Sequence, residues 1–493
     1  MAAGEGGRAA SARAEAPPAR PRFFSAPPID RAVEATPPER DRVVDAARAA
    51  ALLVVVLGHG VMAVVAWPDG VPRLGNLLAA FPWTQGLTWV LQIMPLFFWA
   101  GGAANAMSWR GRRAGTTYAG WIWSRGRRLL RPVIVYLVVM GIVATVVTVL
   151  APPAVAEPLM ALTTQLLWFL GAYLITVALT PWLAGRSAGH DVLVVVTLLA
   201  VAAVIDVGRL ILGWPEALGL VNFVVVWTVP ALLGVMRAQG RLAGVRTPGW
   251  LAVVVVTVAA NAVLIHEGPW PVSMVGMPGE PVSNMAPPTI VLGLHCLTLV
   301  AVVQVLDRPL RALLEHRALW RPVVAVNLTA MTLYLWHLPA LIALTVAAHV
   351  LHLDRPVGID AAGFPVPDGW GYGGASLLFW AVYALAVLAV VRLMWPFEYV
   401  PLPWWDSPTR LAPPPGRTAG VIAAVGVLLV GVATLVLSAA GLGGFPTRVI
   451  TYAGLPLSAP MAIGGLLLGG ALMRWAGADQ GTGPASRSFV AGS

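Results

Sequence analysis

The chain has 493 residues, of which 58% are hydrophobic and only 11% charged, and its net charge of +10 comes from arginine because lysine is absent. Soluble proteins carry about 25% charged residues, so this composition excludes an ordinary soluble enzyme and describes a polytopic membrane protein. With no basic globular domain, nucleic-acid binding has no support either, and the single cysteine, Cys296, rules out an internal disulfide or a multi-cysteine metal site.

In chain order, residues 1–43 are rich in Ala, Pro, Arg and Glu and read as a disordered cytoplasmic tail, with the first hydrophobic run serving as the insertion signal. About twelve apolar runs follow, near 46–66, 87–108, 132–150, 160–182, 191–212, 218–236, 249–266, 289–306, 323–348, 375–395, 419–441 and 458–475. The predicted fold is therefore all-α, a polytopic transmembrane helical bundle with a membrane domain at 44–400. A cytoplasmic linker is expected at 401–418, two additional spans within 419–476, and a disordered tail at 477–493. With both termini placed in the cytoplasm, all of the 32 arginines except Arg73, Arg209, Arg355 and Arg448 fall at cytoplasmic ends, as the positive-inside rule requires. Most arginines thus serve topology and anionic lipid. The outer loops 267–288 and 349–374, rich in Pro and Gly, could shape a substrate entrance or simply connect spans.

Chemistry concentrates in DAARAAALLVVVLGHG, residues 45–60. Arg48 and His59 are eleven apart, about three helical turns or 16 Å, so they share a face, and Asp45 joins the same stripe. In the ninth span, NLTAMTLYLWHLPALI at 327–342, His337 reaches a similar depth from a helix running the same way, with Tyr334 one turn before it. An imidazole exchanges protons near neutral pH and suits general-base work on a hydroxyl. The alternatives are structural: each ring bonds a neighbouring helix, and Arg48 snorkels to lipid phosphate. No Asp or Glu is expected at the depth of the histidines, so a Ser–His–Asp triad is unsupported. Orientation falls to Tyr334, a backbone carbonyl or the substrate. His295 reads as a packed polar residue, Asp206 and Arg209 as a local pair, and HVLHLD at 349–354 lacks a third convergent metal ligand, so no metal is expected.

These residues resemble the acyltransferase-3 family of integral membrane O-acyltransferases. The resemblance rests on Asp45, Arg48 and His59, on MPLFFWAGG at 94–102, RGRRLLRP at 125–132, LLWFLGAYL at 166–174 and TLYLWHLP at 332–339, in that order, across about ten spans. It implies acyl transfer, often of acetyl, from cytoplasmic acyl-coenzyme A to a hydroxyl of a carbohydrate, glycolipid or small-molecule acceptor. Carried over, His59 is the base or a transient acyl acceptor, and Tyr334 and His337 line the transfer site. Arg48, Arg128 and Arg131, with Asp45 beside them, bind the coenzyme's phosphates. Membrane lipid is an expected partner, a homo-oligomer is possible, and the location is a bacterial-type cell membrane. Two departures stand out. Ala100 replaces the family's serine beside Gly101, and no esterase-like domain follows the two extra spans. The competing reading is a secondary transporter or a polysaccharide or lipid flippase, against which stand the scarcity of core carboxylates and the lack of a clear repeat.

Overall fold

The computed structural model describes residues 27–478 apart from 113, 408, 410, 453 and 454. The expected tails over 1–26 and 479–493 lie outside these residues. The described residues are 73% helical. Among the described residues, 11 helices are long and apolar enough to cross a membrane, or 12 if one pair bent by 58° is a single span.

Residues 27–43, read as tail, carry a short helix α1 (Ile29–Glu34), and their acids find arginines at the ends of later helices. Asp30 pairs with Arg321 at 2.9 Å, and Asp41 with Arg237 at 2.9 Å. Then come α2 (Arg42–Met62), α3 (Met94–Arg110), α4 (Tyr118–Leu150), α5 (Pro153–Thr164), α6 (Trp168–Gly185), α7 (Asp191–Leu210), α8 (Gly219–Ala238), α9 (Thr247–Glu267) and α10 (Ile290–Val305). The sequence continues with α11 (Asp307–Glu315), α12 (Arg317–Leu328), α13 (Ala330–Val350), α14 (Gly369–Met394), α15 (Gly416–Ala440) and α16 (Ala459–Ala476).

Several boundaries differ from the apolar runs for identifiable reasons. The first span ends at Met62, because Ala63–Ala66 leaves the helix to pair as a strand, β1, with Arg73–Asn76, β2. The third begins fourteen residues before its apolar run, since the arginine-rich stretch is itself helical and starts at a Thr117 cap. The fourth is broken at 165–167 between α5 and α6. A break inside a bilayer must have its freed carbonyls satisfied by protein. Here Tyr136, Tyr334 and Ser438 donate their hydroxyls to the carbonyls of Thr163, Leu166 and Gln165. The expected linker 401–418 holds a short turn, Pro403–Asp406, with Trp405 buried.

Close helix contacts depend on missing side chains. A Cβ on Gly102 would lie 2.1 Å from the Ala231 carbonyl oxygen, and one on Gly234 1.9 Å from that of Trp99, so α3 and α8 meet backbone to backbone. The small Ala100 is fully buried beside them. α2 packs on α3, α12, α13 and α14, while the α15–α16 hairpin packs on α6 and α4. Short strands Val357–Ile359 (β3) and Pro365–Pro367 (β4) pair with one another and lie against the β1–β2 ribbon at the far end of α2.

Candidate active site

Two cross-helix contacts place α2 in register with the α12–α13 pair. Near the start of α2, Arg48 Nε donates to Asn327 Oδ1 at 2.6 Å, and Asn327 Nδ2 donates to the Asp45 carbonyl at 3.0 Å. Eleven residues beyond Arg48 is His59, and ten beyond Asn327 is His337. Their nitrogens Nδ1 and Nε2 lie 3.1 Å apart, with the rings stacked at 26° and 5.2 Å between centroids. Side by side and parallel, the helices thus carry a polar pair at each end of a stripe about 16 Å long. The sequence placed the two rings at a similar depth on separate helices, and the structure brings them into contact.

The hydrogen bonds fix a tautomer chain for two neutral rings. His337 Nδ1 is 2.9 Å from the Leu333 carbonyl, which can only accept, so Nδ1 carries the proton and Nε2 offers a lone pair. His59 Nδ1 must then donate to that lone pair, which leaves Nε2 as the unprotonated nitrogen of the ring. His337 is 1% exposed, whereas His59 is half-buried. The half-buried ring therefore presents a lone pair, and the buried ring holds it in place.

Tyr334 does not reach either imidazole. Its hydroxyl donates to the Leu166 carbonyl at 2.5 Å, and its ring tilts against Phe169 at 5.4 Å. It buttresses the α5–α6 break, beside a cavity of about 10 Å³ that it shares with Tyr136 and Leu338. That volume holds about one water. Of the orienting groups considered from sequence, the backbone carbonyl is the one used, together with the second histidine.

At the other end of the stripe the arginines separate into two sets. Arg131 is engaged by Asp406 at 2.6 and 3.0 Å and by the Glu398 carbonyl at 3.3 Å. Asp45 is held by Arg40 at 2.6 Å and lies 3.9 Å from Arg48. Arg125 and Arg128, by contrast, make no ion pair or hydrogen bond among the described residues. Both lie close enough to Arg48 for their charges to repel. Arg128 is exposed, and Tyr399 lies near both it and Arg48. Tyr399 joins this wall, its hydroxyl donating to the Leu328 carbonyl at 2.6 Å, and burial holds its ionisation above the usual tyrosine range. Three arginines here outnumber the two carboxylates near them, Asp45 beside Arg48 and Glu398 near Arg128, and the excess of cations suits a polyanion.

Three residues here escaped sequence reasoning: Arg125, Asn327 and Glu398. Glu398 is a half-buried carboxylate whose Oε1 accepts from the Thr332 amide and hydroxyl, both at 2.6 Å, at the start of α13. An acid at a helix N-terminus satisfies orphan N–H groups there and favours the dipole. Thr332 precedes His337 by five residues, so this carboxylate sits about 7 Å towards the arginine end, outside contact with the rings.

The remaining polar residues are structural. Asp206 accepts from Asn222 at 3.0 Å, from the Ile290 amide at 2.6 Å and from Arg209 at 3.4 Å, and Arg209 also reaches Glu216. His295 is fully buried with its ring edge-on to Trp89, and Cys296 is buried beside it. His349 pairs with Asp354 at 2.8 Å and stacks on Trp67. Among the described residues no three His, Cys, Asp or Glu side chains converge as metal ligands would.

Residues 41–399 match the model of the acyltransferase-3 family, described as an acyltransferase domain. No curated protein and no solved structure matches the chain. The family match covers Asp45, Arg48, His59, Arg125, Arg128, Tyr334 and His337 and most of the chain, which therefore belongs to the acyltransferase-3 family and is a multi-pass membrane acyltransferase.

Proposed function

Proceeding from that membership, we propose that the protein transfers an acyl group, acetyl in the first instance, from acyl-coenzyme A to a hydroxyl of a carbohydrate or other cell-envelope acceptor. The observation that carries this reading is the shared stripe. It has a cluster of Arg48, Arg125 and Arg128 at one end and the unprotonated Nε2 of the half-buried His59 about 16 Å away at the other. Coenzyme A has phosphates at one end and a thioester at the tip of a long flexible arm, and this layout suits both. The arginine end faces the cytoplasm of a bacterial-type cell, as the arginine bias of the chain supports.

In the proposed step His59 Nε2 takes the proton of the acceptor hydroxyl as its oxygen attacks the thioester carbonyl carbon. A new C–O ester bond forms and the C–S bond breaks. The leaving thiolate recovers the proton from the imidazolium, giving a free thiol and an intact neutral histidine. During this cycle His337 accepts from Nδ1 and supports the positive charge on ring 59, which Leu333 in turn anchors. Arg131 and Asp45 act one layer back, in ion pairs that set the geometry of the port.

The test uses purified full-length protein in nanodiscs with acetyl-coenzyme A and a lipid-linked or free glycan pool. Thiol release coupled to an acetyl ester on the acceptor, both lost in His59→Ala, is the expected result. Gradient-driven uptake of solute with no covalent product would assign the chain to transport instead.

A further inference from the structure

We infer that a cavity of about 240 Å³ at the far end of α2 binds the acceptor, and that it takes one neutral, hydroxyl-rich ring such as a pyranose unit. This rests on the acyl-transfer reading above, and it locates the second substrate of the same centre.

The cavity is built by three segments far apart in sequence: 75–85, 277–280 and 360–366. Their contact is tight, since a Cβ on Gly75 would lie 2.9 Å from Pro365 and one on Gly279 3.0 Å from the Phe364 ring. Two of these segments belong to the outer loops that the sequence marked as an entrance. The third is the continuation of α2 itself. Asn76, on the cavity wall, pairs in register with Ala63. Ala63 is four residues past His59, about 6 Å along a helix, and a cross-strand pair adds about 5 Å. The wall therefore begins roughly 11 Å from the His59 Cα, on the side opposite the arginine port. A donor arm from one end and an acceptor from the other meet at the same imidazole.

The lining selects the ligand. The Glu280 carboxylate makes no ion pair or hydrogen bond among the described residues, its amide alone donating to the Met277 carbonyl at 3.5 Å. Asp360 spends one oxygen on the amides of Ala362 and Phe364, at 3.0 and 2.8 Å, and keeps the other. Gln85 contributes a further amide oxygen. Acceptors outnumber donors, so the complementary ligand is rich in hydroxyl donors. No arginine lines the cavity, and two carboxylates do, which repels an anionic ring. The volume lies just below the range of about 300–1,000 Å³ typical of drug-sized sites and fits a single ring rather than a chain.

Binding is read independently of chemistry through Ala79→Cys and Ala80→Cys, two small changes on the wall, because the native Cys296 is buried and stays silent to thiol reagents. The protein in nanodiscs is labelled with a membrane-impermeant maleimide in the presence of methyl glucoside, methyl mannoside, methyl N-acetylglucosaminide or methyl glucuronide. At least one neutral glycoside is expected to slow labelling of both cysteines fivefold or more at millimolar concentration, with the glucuronide inert. Protection by none of them, or equally by the glucuronide, overturns the assignment. Protection in a protein that neither cleaves nor transfers from acetyl-coenzyme A would leave the cavity assigned and refute the acyl-transfer reading alone.

Discussion

Replacing His337 tests the tautomer chain directly. In His337→Ala the Nδ1–H of His59 loses its acceptor at 3.1 Å, and the ring loses the stacked neighbour that orients it. A buried donor left unpaired costs about 1–3 kcal/mol. At about 1.4 kcal/mol per decade, that is a fall in kcat of roughly 5- to 150-fold if the loss is felt in the transition state, where ring 59 is cationic. The donor's phosphates bind about 16 Å away, so KM for acyl-coenzyme A stays within about twofold. His337→Gln supplies an amide oxygen near the same place and recovers part of the loss, which a purely structural role for the ring would not produce. His59→Ala removes the base itself and costs about 10²- to 10⁴-fold. Steady-state thiol release in nanodiscs, with donor and acceptor varied separately, measures all three. If His337→Ala turns over at the wild-type rate while His59→Ala is inactive, the relay from Leu333 through ring 337 to ring 59 is refuted.

The two sets of port arginines should respond differently. Arg128→Gln, which breaks no ion pair, is expected to raise the donor KM about 10- to 100-fold by losing a charged hydrogen bond worth roughly 1.5–3 kcal/mol, with little change in Tm. Arg131→Ala strands the Asp406 carboxylate and should lower stability by up to about 3–5 kcal/mol, the Arg127 guanidinium at 3.7 Å taking up part of that loss; equal KM effects for the two variants would contradict the division. Gly234→Ala drives a methyl to 1.9 Å from the Trp99 carbonyl, so detergent-solubilised protein should unfold at lower temperature by an overpacking cost of about 1–3 kcal/mol. Arg355 ties the outer loop to the end of α2 by donating to the Ala63 carbonyl at 2.7 Å, with burial lowering its pKa from the usual arginine value. Arg355→Ala should raise the acceptor KM and leave thiol release to water intact; an unchanged acceptor KM would show that this tether does not shape the cavity.

What the sequence made legible follows from how local each feature is. Apolar runs and arginine bias are read along the chain, and they located the spans, though not every end: the third starts fourteen residues ahead of its apolar run. The helix breaks at 165–167 and Thr329 were not legible, because the groups that make them tolerable are remote. Ser438, which caps the Gln165 carbonyl, is 273 residues away. The α2 stripe was legible because eleven residues is a fixed rotation on a helix. The contact with His337 spans 278 residues, and only the similar spacing of Arg48–His59 and Asn327–His337, eleven and ten residues, hints at it. Asn327 opens the very run in which His337 was found, yet an asparagine in that position carries no signal until its partner is known.

In the arginine run RGRRLLR, Arg128 is three residues from both Arg125 and Arg131, so spacing alone does not say which of them it works with. The structure decides: Asp406 lies against Arg127 and Arg131 at 3.7 and 2.6 Å, while Arg125 and Arg128 make no ion pair among the described residues. Asp406 comes from the segment joining the family domain to the two extra helices, and Ser438 on α15 closes the same break that Tyr334 leans against. The joining segment therefore neutralises one set of arginines, and the added hairpin braces the wall behind the histidines. The segment's effect on charge is selective, leaving Arg125 and Arg128 as open cations beside Arg48, which is the condition the port needs in order to hold a phosphate-bearing donor.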